Sequence, residues 1–298
     1  MILAINGIFA SSMGIPSSPL LLDTYPNSTS AYSLRKLTTA YTGSAIRVRR
    51  SSDNTEQDIG FVANVLDTTS LLAFCLATNG FVTKWYSQIG GSTFDILQTT
   101  AVKQPKIVST GVLNTLNLLA CVNYAVGFPT ANSTALATAA GVTIMTGQYL
   151  ICAVASSTTI SGNGAIVDQD DQSLGANRIV QYLYRTGDVV RNLLFTLSGG
   201  PFFVSVSSPV FPINTQIVFN SSLVATTLSS GLNNDPPNTA SFLGSIKTAT
   251  VKLTVGAGNN GLNEFFDGSI QEVITFNGNN SANKTAIITN IKSYYGIV

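Results

Sequence analysis

The sequence predicts a mainly β protein, a sandwich of many short strands with helices near its ends. Three observations carry this. From Phe81 onward, runs rich in β-branched and aromatic residues recur between clusters of Gly, Asn, Pro and Ser. No fixed internal period marks a solenoid or a propeller. Apolar residues fall at helical intervals only in short segments toward the two ends.

Residues 1–30 carry Pro16, Pro19 and Pro26 between short apolar runs and read as an extended arm. The Leu20-Leu21-Leu22 run is too apolar to stand alone in water, so the arm packs on its own sandwich or on another subunit. From Tyr32 to Tyr41, Leu34, Leu37 and Tyr41 fall at i, i+3 and i+7 with Ser30 as a cap, which predicts a short amphipathic helix. Ala45–Arg50 alternates Ile46 and Val48 with Arg47 and Arg49, a strand with two unlike faces. Asp67–Ala77 predicts a second helix, capped by Asp67, with Leu71, Leu72 and Cys75 on one side. Strands are then expected at Phe81–Ser87, Gln148–Ala155, Arg178–Tyr184, Leu193–Leu197, Phe202–Val206, Thr215–Phe219, Leu223–Thr227, Thr250–Val255 and Ser269–Phe276. A hairpin is expected to turn at Ser221-Ser222. Ser281–Tyr295 returns to helical spacing through Ala282, Ala286, Ile287, Ile291 and Tyr294, with Ser281 as N-cap and Gly296 beyond the end.

Composition narrows the function. The 298 residues suit one principal domain, 31–298, with the arm 1–30 appended. A formal net charge of +1 offers no basic face for nucleic acid. Mean hydropathy is +0.30, yet the apolar stretches around Leu113–Phe128 and Ala135–Ala155 are cut by Asn and Gly, so no membrane insertion is expected. MILAINGIFASS lacks the basic start of a signal peptide. Cys75, Cys121 and Cys152 lie far apart and read as small buried residues, with neither a disulfide framework nor a metal site, which suits folding in a reducing cytoplasm.

Several ordered blocks carry a resemblance. They are Ala31-Tyr32-Ser33-Leu34-Arg35-Lys36-Leu37, then Ile46-Arg47-Val48-Arg49-Arg50-Ser51-Ser52-Asp53, then Asp58-Ile59-Gly60-Phe61, Ala73-Phe74-Cys75 and Trp85-Tyr86-Ser87-Gln88. Together they resemble the start of the arabinofuranosidase B catalytic-domain family, within the concanavalin A-like (laminin G-like) sandwich superfamily. Phe266-Asp267-Gly268-Ser269-Ile270-Gln271-Glu272-Val273-Ile274 and the helix ending Tyr294-Tyr295-Gly296-Ile297 resemble the closing segment of such domains. The resemblance implies a concanavalin A-like jelly-roll β-sandwich with short N-terminal helices and a C-terminal helix. The stretch after Cys75 lacks the family's second cysteine, and its Tyr-Asp-Gln-Ser is here Tyr86-Ser87-Gln88-Ile89. The motifs around the family's catalytic glutamate and aspartate find no counterpart, so no catalytic residue is carried over. This variant of the blocks, behind an apolar arm, is similar to virion or tail-fibre components of tailed bacteriophages.

Each cluster has a ligand reading and a structural one. Arg47, Arg49, Arg50, Asp53, Glu56 and Asp58 could form an anion or sugar site from guanidinium forks, or a structural ion-pair network joining helix and strand to the sandwich; the second needs no ligand and is preferred. Trp85, Tyr86, Tyr182 and Tyr184 are the candidate sugar platforms, but strand alternation in a sandwich also buries aromatics, and core placement is preferred. The run Asp168, Asp170, Asp171 lacks the glycine and terminal glutamate of a calcium loop and reads as a solvated turn. With no histidine, a hydrolase would need a carboxylate pair, drawn from Asp168, Asp170, Asp171, Asp188, Asp235, Glu264, Asp267 and Glu272.

Residues and resemblance together give the expectation of a noncatalytic bacteriophage virion protein, a fibre or decoration subunit that needs no cofactor. It would fold in the host cytoplasm and reside in the virion. Residues 1–30 would meet other virion proteins, copies would assemble as a homo-oligomer such as a trimer, and the sandwich would meet a host-surface glycan. The alternative is a glycoside hydrolase, arabinofuranosidase-like or a depolymerase, using a carboxylate pair.

Overall fold

The computed structural model describes residues 19–125, 132–143, 147–159, 163–169, 184–186, 189–195, 203–210, 212–242, 250–258 and 261–298. The protein is mainly β. Among the described residues, sixteen strands join one antiparallel sheet system, and Asn163–Ala165, Tyr184–Thr186, Val189–Phe195 and Phe203–Val210 form a second sheet of four.

Two long strands organise the body. Gly268–Asn277 pairs along Tyr149–Ser157, and its other edge takes Ser28–Ser33 and Val122–Tyr124 end to end. Because side chains alternate across a strand, this pair is buried twice. Tyr149, Ile151, Ala153 and Ala155 enter the main core with Trp85, Phe219 and Phe266. Leu150, Cys152 and Val154 enter a second core under the C-terminal helix, with Ile287, Ile288, Ile291 and Tyr295. That explains why Tyr149–Val154 is a nearly continuous apolar run, while the polar residues of Gly268–Asn277, Gln271, Glu272 and Thr275 among them, are buried with hydrogen-bond partners. All three cysteines are buried free thiols, and burial pushes the Cys121 and Cys152 thiols up to about 11 and about 12.

The helices follow local chemistry with two corrections. Thr68–Cys75 starts where Asp67 accepts the Ser70 N–H at 3.0 Å, as the cap predicted. The C-terminal helix spans Lys284–Tyr295 and ends on Gly296 at φ 64°, a conformation glycine adopts without a Cβ clash. It does not begin at Ser281; that residue lies in a turn closed by Asn283 N–H and Lys284 N–H, both donating to the Asn280 carbonyl. The helix expected over Tyr32–Tyr41 is absent. Ser28–Ser33 is a strand, and the chain beyond it finds distant partners in place of i−4 carbonyls: Leu34 N–H donates to Gln271, Lys36 N–H to Asn64 and Leu37 N–H to the Gln88 side chain. Tertiary hydrogen bonds outweigh a weak helical period.

The hairpin is displaced too. Ile217–Val224 runs straight through Ser221-Ser222 and turns at Ala225, φ 51°, into Thr227–Leu232. Pro19–Ser30 lies on its own sandwich, with Leu21 and Leu22 in the second core beside Leu37. No helix among the described residues is long and apolar enough to cross a membrane.

Candidate functional site

The charged residues between Ala31 and Gly60 separate into a buried part at Arg35 and an exposed part around Arg47. Arg35 and Glu272 form a bidentate pair, Nε to Oε2 at 2.8 Å and Nη2 to Oε1 at 3.0 Å, with side chains only 8% and 1% exposed. Ser33 Oγ and Tyr295 OH also donate to Oε2, and Asn290 Oδ1 accepts from Nη1. Burial opposes the Arg35 charge, but Glu272 outweighs it and holds the guanidinium protonated. The pair locks the first strand and the closing strand to the C-terminal helix.

The exposed part builds a face. Asp58, Arg47, Lys84, Leu97, Ala137, Thr254 and Asp168 stand opposite one another across seven strands. Residues directly paired across strands share a face, so this row crosses one surface of the sheet. Its first end is open, with Arg47 and Asp58 40% and 43% exposed, and its last end is closed, with Thr254 and Asp168 fully buried.

At the open end, Arg47 Nε lies 3.0 Å from Glu56 Oε2 and 3.7 Å from Asp58 Oδ1. Tyr86 OH donates to Asp58 Oδ1 at 2.7 Å, and Lys84 Nζ sits 5.1 Å from the Tyr86 ring centre. Lys84 also stands 3.8 Å from Asp95 Oδ2, while Asp95 Oδ1 accepts the Ser87 N–H. Partial burial and donation to Asp58 push the Tyr86 phenol well up. Burial and the Asp95 and Asp58 charges push Tyr41 up to about 12, and its ring packs edge-on against Phe61 at 6.4 Å. Burial raises the Asp95 carboxyl, against the pull of Ser87 N–H and Lys84. An aromatic ring flanked by a guanidinium, an ammonium and carboxylates can stack on an apolar sugar face and hydrogen-bond its hydroxyls.

The structure redistributes the residues singled out in sequence. Of the six charged ones, Arg47 meets Glu56 and Asp58, and Arg50 meets Asp53 at 2.7 Å. Arg50 alone reaches the helix, donating to the Phe74 carbonyl. Among the described residues Arg49 meets no acid; it donates to Gln104 and Asn54 and lies over the Phe81 ring. Trp85 follows the preferred core reading and is no sugar platform: it is fully buried, edge-on to Tyr32 at 6.4 Å, on the opposite side of the chain from Lys84 and Tyr86. Tyr86 is on the face. Tyr182 and the side chain of Tyr184 lie outside the described residues. Asp168 is corrected. It belongs to the strand Val167–Asp168 and is buried opposite Thr254, in place of a solvated turn; Asp170 and Asp171 lie outside the described residues.

Lys84 and Asp95 went unnoticed in sequence, although placing Trp85 inward would have put Lys84 and Tyr86 together on the other side. Among the described residues, no three Cys, Asp or Glu side chains gather as a metal site.

No protein-family model matches the chain, and no curated protein matches its sequence. Solved structures do. A GH54 α-L-arabinofuranosidase soaked with a cyclic sulfate inhibitor is similar over 91% of this chain, at 15% identity and a TM-score of 0.57. An arabinofuranosidase complexed with arabinofuranosyl-α-1,2-xylobiose is similar over 91% as well, at 14% identity and a TM-score of 0.54. The chain spans 64% of the length of each. What it shares with them is the β-sandwich fold.

Proposed function

We propose that the protein is a noncatalytic, glycan-binding subunit of a bacteriophage virion, a fibre or decoration component that presents the Tyr86 face outward. One observation carries the binding half of this reading: Tyr86, Asp58, Arg47 and Lys84 stand together on a half-exposed sheet face. The fold shared with arabinofuranosidases supports it, as does the resemblance of the Arg35 and Arg47 blocks to phage proteins. The N-terminal arm is the link to other virion proteins, with residues 19–30 anchored on the sandwich. A homo-oligomer, assembled after folding in the host cytoplasm, completes the reading.

The face suits binding better than hydrolysis. A glycosidase needs one carboxyl that carries a proton and one that is free to attack. Here Glu56 and Asp58 share the Arg47 guanidinium, and Asp58 also holds the Tyr86 hydroxyl. Asp95, whose affinity for a proton is raised, is almost fully buried under Lys84.

A glycan array with purified protein tests the binding half: a bound glycan should lose at least about tenfold in affinity with Tyr86→Ala, a loss of the size a stacked aromatic supplies. Glycans bound equally by wild type and Tyr86→Ala would sink this assignment of the face. Release of reducing sugar by the wild type, abolished by replacing one carboxylate, would replace the reading with the glycoside hydrolase. Antibody labelling of particles would test the virion half.

A further inference from the structure

A cavity of mixed apolar and polar lining lies where Tyr149–Ser157, Ile217–Val224 and Thr227–Leu232 meet the start of the C-terminal helix, away from the Tyr86 face. It has a volume of about 180 Å³ and is lined by Tyr149, Ser222, Thr227, Ser229, Asn280 and Lys284, among others. Among the described residues, Lys284 is its only charged lining residue. Its ammonium donates to Ser222 Oγ and Ser229 Oγ, each at 3.2 Å, and these two hydroxyls are 2.7 Å from each other.

An ammonium has three N–H donors, so two serine contacts leave one for an occupant. Among the described residues no carboxylate lies within ion-pair distance of Lys284. The titratable group that faces it is Cys152, a thiol kept neutral by burial. A partly buried cation held only by neutral hydroxyls is under-compensated, and burial accordingly lowers its hold on the proton. Serine and threonine hydroxyls rotate to donate or accept, so they can turn their protons toward a negative guest. A second cation would be repelled. A space of about 180 Å³ admits a compact group such as a phosphate or the carboxylate end of a sugar.

We propose that this cavity is a binding site for a small oxyanion, received by Lys284 and the hydroxyls of Ser222 and Ser229. The oxyanion is either the carboxylate of an acidic sugar or a free inorganic phosphate; the chemistry of reception is the same. Charge-assisted hydrogen bonds from Lys284 carry the affinity.

The test titrates the full chain, at matched ionic strength, with sodium glucuronate, inorganic phosphate and neutral glucose, following both thermal unfolding and the Lys284 Cε signal in ¹³C-lysine-labelled protein. A saturable response to glucuronate, to phosphate or to both, absent with glucose, supports the site, and the responding arm names the source. Lys284→Met should weaken that response at least tenfold, whereas Lys252→Met, on an exposed residue, should leave it unchanged. The Lys284 signal of the wild type reports binding even where the methionine variant folds poorly. No saturable response to either anion, or a response equal with glucose, overturns the proposal.

Discussion

Between Ala31 and Gly60, two arginines meet carboxylates in opposite ways. Arg35 and Glu272 are buried, bidentate and surrounded by Ser33, Asn290 and Tyr295. Arg47 lies on an open face with two acids at 3.0 and 3.7 Å and with 40% of its side chain exposed. The first is expensive to break, since each partner would leave an uncompensated charge in the core. The second contributes little stability because solvent screens it and the side chains stay mobile. What differs is burial, and burial assigns the work: Arg35 holds the fold together, while Arg47 is free to meet something outside it.

Removing one buried partner should give the largest effect. Glu272→Ala leaves the Arg35 guanidinium with Asn290 Oδ1 as its one polar partner among the described residues and should destabilise the protein by about 3–5 kcal/mol in urea unfolding. The double variant Arg35→Met with Glu272→Leu removes both charges and should recover most of that loss, so the two changes are strongly non-additive. Additive losses would mean that the pair is not an energetic unit. Arg47→Met, by contrast, should shift stability by no more than about 0.5 kcal/mol and should respond little to 1 M NaCl. A loss as large as that of Glu272→Ala would erase the distinction between the two arginines.

The same distinction explains what the sequence could and could not tell. The double burial of Tyr149–Ser157 was legible as a β-rich run, and Asp67 and Gly296 were legible as helix ends, because those signals are local. Arg47 with Asp58 was legible as a charge cluster, because the two strands are neighbours in sequence and face each other in register. Arg35 with Glu272 was not, since the partners lie at opposite ends of the chain and meet only when Ser28–Ser33 docks on Gly268–Asn277. The false helix over Tyr32–Tyr41 has the same cause: Leu34, Lys36 and Leu37 direct their N–H groups to distant acceptors that no local period encodes. Tyr86 and Trp85 were named together as sugar platforms, although strand alternation sends them to opposite faces, and only the buried one sits in the core. The Tyr86 face itself, with Lys84 and Asp95, needed register across strands that sequence spacing does not supply.

Asp95 sharpens the comparison, because it stands between the two regimes, buried on one side and touching Lys84 of the open face on the other. Burial raises its carboxyl above the ordinary range, and Ser87 N–H and Lys84 offset only part of that rise. A carboxyl raised in the folded state binds its proton more tightly there than in the unfolded chain, so stability falls as pH climbs from below about 4 through the folded value and then levels off. Asp23, Asp53 and Asp67, held low by hydrogen bonds or an arginine, act in the opposite sense, but they cancel when two variants are compared at each pH. Asp95→Asn keeps an oxygen for the Ser87 N–H and removes the buried charge. It should therefore be slightly more stable than wild type at pH 7, by about 1 kcal/mol or less, with the advantage shrinking toward pH 4 in urea unfolding. If Asp95→Asn is instead less stable at pH 7, the Lys84 contact outweighs the burial of the charge, and Asp95 belongs with the buried Arg35 pair.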